Sequence, residues 1–187
     1  AAGTVPKKAS LNISGDAAAK VHDDVNHLLQ VRGEQISIIG GGDAAFDYAL
    51  NLGAFNNVML LCRSTPRCLP LLYKRAKQHS RIKIFEGVEV ASIEMSEGRL
   101  RLSCIKGREL AELECDDVLM AVGRHPNDDV LTSGLERHMM SRLIDERRLL
   151  LAGDVANGHA RQAVIAAGDG MMAALEISRL PLVASRW

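Results

Sequence analysis

The residues best suited to chemistry form a glycine-rich turn after a short apolar run. Ile36-Ser37-Ile38-Ile39 precedes six residues that fit Gly-x-Gly-x-x-Ala, namely Gly40, Gly41, Gly42, Asp43, Ala44 and Ala45. In this pattern the first glycine allows a tight turn, the second lets the backbone approach a pyrophosphate, and the alanine permits close helix–strand packing. N–H groups at the start of the following helix would hold the phosphate charge. Plain turns also carry glycine triplets, but the flanking strand and helix patterns favour dinucleotide binding.

A basic segment after the next apolar run, Val58–Leu61, bears on which dinucleotide is bound. It reads Cys62-Arg63-Ser64-Thr65-Pro66-Arg67 and contains no carboxylate. At this position an acidic residue accepts the ribose hydroxyls of NAD, whereas an arginine accommodates the extra phosphate of NADP. Arg63 and Arg67 could clamp that phosphate while Ser64 and Thr65 donate their hydroxyl hydrogens, which favours NADP(H). The alternative is that the two arginines only solvate a loop.

Hydrophobic periodicity predicts the elements that position these residues. Short strands are predicted at 36–39, 58–61 and 82–85, and helices over 46–52, 69–79 and 161–180. Period-two alternation from Val88 to Val122 predicts an antiparallel meander that ends in an apolar strand, 118–122. The stretch 128–148 is less regular, and the apolar run Leu149–Ala152 predicts a strand buried on both faces. These elements predict an α/β fold.

Composition excludes several classes of protein. The chain has 187 residues with 23 Lys plus Arg against 23 Asp plus Glu, so a basic surface for nucleic acid or anionic membrane is not expected. Hydrophobic residues at 47% argue against disorder, and no apolar run is long enough to span a membrane. The four cysteines indicate free thiols in a reducing cytoplasm, and no His/Cys spacing predicts a metal site. We therefore expect a cytoplasmic protein without metal.

Further motifs in the same order point to a known family. The glycine-rich turn and the Arg63 segment are followed by Val122-Gly123-Arg124-His125-Pro126-Asn127, by Leu151-Ala152-Gly153-Asp154-Val155 and by Arg161-Gln162-Ala163. Together these motifs resemble the thioredoxin-reductase-like branch of the pyridine-nucleotide–flavin oxidoreductases. Ala1-Ala2-Gly3-Thr4 is similar to the family's segment between flavin and NADPH domains. The resemblance covers most of the chain.

The resemblance implies a second set of cofactor-binding residues. Gly153 and Asp154 match family residues that bind the pyrophosphate and ribityl chain of FAD. Arg161, Gln162 and Ala163 match a helix start facing the isoalloxazine ring, where a helix N-terminus stabilises negative charge on a reduced flavin. Gly123 belongs to the family's inter-domain crossing segment and is assigned to cofactor binding. The alternative is that 153–154 is a plain turn and Arg161 a surface cation.

Two features of the family pattern are missing from this sequence. The stretch 19–29, where thioredoxin reductases carry Cys-x-x-Cys, contains no cysteine, so disulfide reduction is in doubt. Ferredoxin–NADP reductases of the same family lack this pair, and that relation fits the sequence better. The family's first Gly-x-Gly-x-x-Gly motif, which holds the adenosine half of FAD, is not found either. We therefore expect part of a longer protein, or a chain completed by a partner, that does not retain FAD by itself.

The sequence thus predicts a Rossmann-like NAD(P)-binding domain with an antiparallel β-meander at 8–122. Residues 1–7 and 123–187 are predicted to be a crossover remnant and the C-terminal part of an FAD domain. The expected function is FAD-dependent NAD(P)H oxidoreduction, in which a hydride passes from NADPH to FAD and electrons then reach an unidentified acceptor. The alternative is an NADPH-binding sensor without turnover. Apolar residues of 149–180 predict that the chain either self-associates through this segment or leaves it disordered, and a homo-oligomer is expected.

Overall fold

The computed structural model describes residues 3–7, 11–127, 136–158 and 160–179. The chain divides into two compact units, one formed by Lys7–Gly123 and the other by Ala1–Pro6 together with Arg124–Trp187. No helix in the described part of the chain is long and apolar enough to cross a membrane. The same residues contain no group of three or more His, Cys, Asp or Glu side chains placed to hold a metal ion.

The described residues form eleven strands, four α-helices and three short 3-10 turns. The strands are β1 (Thr4–Pro6), β2 (Asn12–Ile13), β3 (Val21–His22), β4 (Gln35–Ile39), β5 (Asn57–Cys62), β6 (Ile82–Glu86), β7 (Val88–Ser96), β8 (Arg99–Lys106), β9 (Glu109–Cys115), β10 (Asp117–Met120) and β11 (Arg124–Pro126). The α-helices are α1 (Asp43–Gly53), α2 (Pro70–Gln78), α3 (Arg137–Asp145) and α4 (Ala163–Arg179). Short 3-10 turns lie at Ala18–Lys20, Val25–Leu28 and Gly153–Val155.

A parallel sheet forms the centre of the unit Lys7–Gly123. Its strand order is β3-β10-β4-β5-β6, and each neighbouring pair is parallel. The strands β4 and β5 are largely buried, as expected for central strands covered on both faces. Helix α1 packs on the sheet through the fully buried side chains of Ala45, Phe46 and Ala49. The predicted α/β fold with a parallel sheet is confirmed.

The predicted antiparallel meander is also confirmed. Strands β7, β8 and β9 pair antiparallel, and β2 adds to β7 in parallel. Glu97 and Gly98 both have positive φ, 52° and 82°, which is the backbone of a tight hairpin turn. Period-two alternation buries Leu100, Leu102 and Cys104 of β8 in a second apolar cluster. The apolar run predicted at 118–122 forms β10 and ends earlier, at Met120.

The second unit contains the β1–β11 pair, α3, the 3-10 turn at 153–155 and α4. The strand predicted at Leu149–Ala152 is wrong. The Leu149 amide donates to the Leu143 carbonyl at 3.0 Å, so this residue belongs to the turn that follows α3. Ala152 has extended angles, φ −138° and ψ 145°, yet no strand of the described residues pairs with 149–152. A strand needs a partner for its backbone N–H and C=O groups, and apolar composition does not supply one.

The stretch predicted to be irregular at 128–148 contains helix α3. Residues 128–135 lie outside the described residues, and the helix runs from Arg137 to Asp145. The charged composition of 128–148 led to the prediction of an irregular stretch, although four apolar residues have helical spacing, namely Met139, Met140, Leu143 and Ile144. An Arg142–Glu146 ion pair of 2.8 Å at spacing i, i+4 supports the exposed face of this helix. The long helix predicted at 161–180 is observed as α4, and Leu180 lies outside the described residues.

Candidate dinucleotide site and a second glycine turn

The glycine turn, residues 40–42, lies at the carboxyl edge of the parallel sheet. It connects the end of β4 to the start of α1, and the Gly40 amide donates to the Leu61 carbonyl of β5 at 3.0 Å. Strand β10 is parallel to β4 with Met120 beside Ile39, so the segment that leads to Gly123 begins at the same edge. Ligands of open α/β sheets bind at this edge, outside the carboxyl ends of the strands.

The three glycines of the turn have different surroundings. A Cβ on Gly40, whose φ is +152°, would lie 2.3 Å from the carbonyl oxygen of Ala121. A Cβ on Gly41 would make ordinary contacts of 3.6 Å with Cys62. A Cβ on Gly42 would meet nothing within 4 Å, so the approach to the helix start is open there. The sequence predicted that Gly40 is needed for a tight turn. In the structure, Gly40 is needed above all because a side chain there would meet the backbone of Ala121.

Helix α1 begins with unsatisfied backbone donors. Gly42 is its N-cap residue and no side chain caps the helix. Asp43 and Ala44, in the first turn, are exposed, whereas Ala45 is fully buried beneath them. Free N–H groups and the positive end of the helix dipole together suit a phosphate group.

The arginine loop, residues 63–69, lies beside the glycine turn. It follows β5, and the Arg67 amide donates to the Gly41 carbonyl at 2.7 Å. The side chains of Arg63, Ser64 and Arg67 are all exposed, and none pairs with a carboxylate of the described residues. The arginine loop therefore places unpaired cationic side chains at the same edge of the sheet as the glycine turn.

In the second unit a separate glycine turn precedes α4. Gly153 is buried with φ +79°, and a Cβ there would lie 3.3 Å from the Ala166 side chain. Asp154 is half-buried, and its carboxylate has no hydrogen bond or ion pair with a described residue. A side chain at Gly153 would thus make a tight contact with α4 in a backbone conformation that residues with a side chain rarely adopt, while Asp154 keeps acceptor oxygens for a ligand.

Arg161, Gln162 and Ala163 lie at the start of α4. Ala163 is the first helical residue, two residues after the helix start predicted at Arg161. Arg161 donates from its NH1 group to the Arg124 carbonyl at 3.3 Å, whereas its Nε is buried without a partner among the described residues. A buried guanidinium nitrogen without an acceptor is costly, so this nitrogen is suited to an acceptor supplied by a ligand.

Asp169 and Asn157 hold the second glycine turn by hydrogen bonds, and neither residue was predicted from the sequence. Asp169 of α4 accepts a hydrogen bond from the Gly153 amide at 3.0 Å and another from the Asn157 side chain. The Asn157 side chain also donates to the Gly153 carbonyl at 3.0 Å. The signal that could have found Asp169 is its position between Gly168 and Gly170, because two glycines inside a helix oppose helix formation.

The four cysteines are free thiols. Burial raises the pKa of Cys62 to about 11 and that of Cys115 to about 11, and it also raises the pKa values of Cys68 and Cys104. Cys104 lies opposite Ala111 in the β8–β9 pair and is not paired with Cys115. Thiols that stay protonated near neutral pH are poor nucleophiles.

A parallel sheet with a glycine turn at its carboxyl edge and an adjoining antiparallel meander defines a Rossmann-type α/β protein. The model of one protein family, described as pyridine nucleotide-disulphide oxidoreductase, matches residues 1–170. The chain belongs to this family, and the predicted resemblance is confirmed.

Curated relatives include reductases of two kinds. A thioredoxin reductase of Pneumocystis carinii is 28% identical over 163 residues, which cover 80% of this chain and 50% of the relative. A ferredoxin–NADP reductase of Lactobacillus acidophilus is 27% identical over 175 residues, covering 88% of this chain and 57% of the relative. The chain thus spans about half the length of the curated relatives it matches.

Solved structures support the fold. Thioredoxin reductase of Lactococcus lactis matches with a TM-score of 0.77 at 22% identity, covering 94% of this chain and 63% of the other. The T. acidophilum thioredoxin reductase gives a TM-score of 0.74 at 20% identity, with coverage of 94% and 62%. The arrangement of strands and helices is therefore shared with these enzymes.

Proposed function

We propose that this chain takes part in FAD-dependent oxidation of NADPH. The observation that carries the proposal is the glycine turn at the carboxyl edge of the sheet, with an open Gly42 beside the unpaired cations of the arginine loop. Both relatives named above are reductases, and one is named for NADP. When bound, the two cofactors supply the redox chemistry, a hydride passing from the nicotinamide to the flavin.

The unit Lys7–Gly123 is proposed as the NADPH-binding domain. Backbone donors of the glycine turn and of the first turn of α1 hold the pyrophosphate, and the small side chain of Ala45 allows close packing beneath them. Arg63, Ser64 and Arg67 bind the 2′-phosphate through charge-assisted hydrogen bonds. Gly123, with φ +100°, turns the chain at the same edge of the sheet.

The other unit is proposed as part of the FAD domain. The residues present fit the group, because Asp154 has free acceptor oxygens for ribityl hydroxyls and Arg161 has a buried donor without a partner. The N-terminus of α4, at Gln162 and Ala163, stabilises negative charge on a reduced flavin. Gly153 leaves room for α4 to pack against the turn.

We propose that electrons leave the flavin without a thiol relay in this chain. The sequence contains no Cys-x-x-Cys, and the cysteines have raised pKa values because they are buried. The acceptor would then be reduced directly, which favours a ferredoxin-reductase type of activity over disulfide reduction. We also propose cytoplasmic localisation and self-association through the exposed apolar side chains of α4.

Calorimetric titration of the purified chain with NADPH and with NADH tests the proposal. We expect binding of both nucleotides with a clear preference for NADPH. Absence of binding, or equal affinity for the two, would contradict it. An absorbance scan after addition of FAD is a second test: bound flavin supports the oxidoreductase over a nucleotide sensor without turnover. A colourless chain that still binds NADPH fits either the sensor or a part of the enzyme that does not retain FAD by itself. No observation on the described residues favours the sensor.

A further inference from the structure

Asp43 is the acidic residue of the candidate phosphate site, and its carboxylate already has a partner. Its Oδ1 accepts a hydrogen bond from the Leu69 amide at 2.7 Å. Leu69 precedes Pro70, the first residue of α2, and no side chain caps that helix. One side chain therefore connects the start of α1 to the last residue of the arginine loop.

A second hydrogen bond holds the same loop to the glycine turn. The Arg67 amide donates to the Gly41 carbonyl at 2.7 Å, two residues before Leu69. The loop also packs on the turn, because a Cβ on Gly41 would lie 3.7 Å from Cα of Pro66. At its other end the loop leaves β5, where the Cys62 thiol donates to the Gly40 carbonyl at 3.2 Å. The loop is thus held at both ends and along its length.

Asp43 is chemically unsuited to bind the phosphate itself. An ionised carboxylate accepts hydrogen bonds and offers no donor to a phosphate, and like charges repel at short range. The same carboxylate is favourable at a helix N-terminus, because it interacts with the positive end of the dipole. Its presence at this position is therefore better explained by the bond to Leu69 than by contact with a ligand.

We infer that Asp43 is a positioning residue: by holding Leu69 it keeps the arginine loop beside the glycine turn, so that Arg63 and Arg67 face the 2′-phosphate of NADPH. The inference rests on the proposed function, because it takes NADPH to be the ligand of this site. It concerns specificity, since the pyrophosphate is held by backbone donors of the turn and the loop adds the contacts that distinguish NADPH from NADH.

Three variants of the full chain test this role. Asp43→Ala removes the acceptor, Asp43→Asn keeps an acceptor oxygen without the charge, and Asp47→Ala removes an exposed carboxylate one turn further along α1 as a control. In the ligand-free chain, hydrogen exchange of the Leu69 amide should be about tenfold faster in Asp43→Ala, as expected for loss of a charge-assisted hydrogen bond. Exchange in Asp43→Asn should lie between wild type and Asp43→Ala, because a neutral acceptor keeps part of the hydrogen bond, and exchange in Asp47→Ala should stay near wild type.

The ratio of NADPH to NADH affinity is the second readout. Asp43→Ala should lower this ratio about tenfold through weaker NADPH binding, while Asp43→Asn should lower it less because an acceptor oxygen remains. A faster Leu69 exchange with an unchanged ratio would show a purely structural bond and overturn the positioning role. Unchanged Leu69 exchange in Asp43→Ala would overturn the bond itself. If wild type does not prefer NADPH, the proposed cofactor fails together with the specificity role, whereas the exchange experiment still reports separately on the bond.

Discussion

Gly40 packs directly against the backbone of Ala121. The two residues follow the neighbouring parallel strands β4 and β10, and a Cβ on Gly40 would lie 2.3 Å from the Ala121 carbonyl oxygen. The Ala121 amide also donates to the Ile39 carbonyl at 2.8 Å, so neither segment can move away without breaking the sheet. Gly40 is therefore required by the fold, whereas Gly42, two residues later, faces open space.

Gly40→Ala should destabilise the unit Lys7–Gly123. The added methyl group collides with backbone, and φ +152° is rarely adopted by a residue with a side chain. We expect the free energy of unfolding to fall by about 1–3 kcal/mol or more, as for other overpacking substitutions. Denaturant unfolding measures this, with Gly42→Ala as the control that should cost less, because its methyl group meets no protein atom and only the N-cap preference for glycine is lost. Equal stability of both variants would contradict the packing argument.

Gly42→Val should abolish nucleotide binding while the fold is retained. A branched side chain would occupy the space through which the pyrophosphate approaches the start of α1, and no protein atom lies within 4 Å of its Cβ. Circular dichroism should match wild type, and calorimetry should show no binding of NADPH or NADH. Wild-type affinity in this variant would place the nucleotide elsewhere.

Arg63→Ala should weaken NADPH binding and leave NADH binding nearly unchanged. Loss of a charge-assisted contact to the 2′-phosphate is expected to cost about 1–3 kcal/mol. Arg108→Ala, at an exposed position in the turn between β8 and β9, is the control for a general loss of positive charge. If both variants weaken NADPH equally, the effect is long-range electrostatics, and Arg63 is not a phosphate ligand.

Glu34→Gln should stabilise the protein at neutral pH. Burial raises the pKa of Glu34, and a hydrogen bond with Asp117 and the charges of Asp117 and Asp116 raise it further, whereas Lys20 lowers it. The unfolded chain ionises near pH 4.5, so the cost of ionising Glu34 in the folded state grows as pH rises from there through the raised pKa. The glutamine variant should therefore melt higher at pH 7–8 and match wild type below about pH 4. Melting curves over this pH range test whether the Glu34→Gln substitution raises or lowers the melting temperature.

The exposed Glu109→Gln is the matched control for that experiment, since its carboxylate has no hydrogen bond or ion pair within the described residues. Its melting temperature should differ little from wild type at any pH. A Glu34→Gln variant that is less stable than wild type at pH 7 would show that the carboxylate is favourable when ionised.

Helix α4 should mediate self-association. Val164, Met171 and Ile177 are 78%, 63% and 59% exposed, far more than apolar side chains of a helix that is covered by its own chain. Met171→Lys together with Met172→Lys should shift the sedimentation coefficient toward the monomer, whereas Ala167→Lys at another exposed position of α4 should not. A wild-type chain that sediments as a monomer at all concentrations would contradict the expectation.

Local patterns in the sequence were sufficient for much of the fold. The strand before Gly40, the helix after it and the hairpins from 88 to 115 were predicted because their signals come from neighbouring residues: period two, period 3.6 and turn chemistry. The family resemblance followed from motifs that keep their order along the chain. Helix α3 was missed because charged and polar residues are interspersed with the four apolar ones that mark its spacing.

Only the tertiary structure decided which distant segments meet. It placed β10 between β3 and β4, gave Gly40 its contact with Ala121, and connected Asp43 to Leu69 and Asp169 to Gly153. It also showed that the apolar run Leu149–Ala152 has no strand partner among the described residues. The physical reason is that residue types set local backbone preferences, whereas strand pairing, close backbone approach and a side chain's hydrogen-bond partner depend on residues brought together from far along the chain.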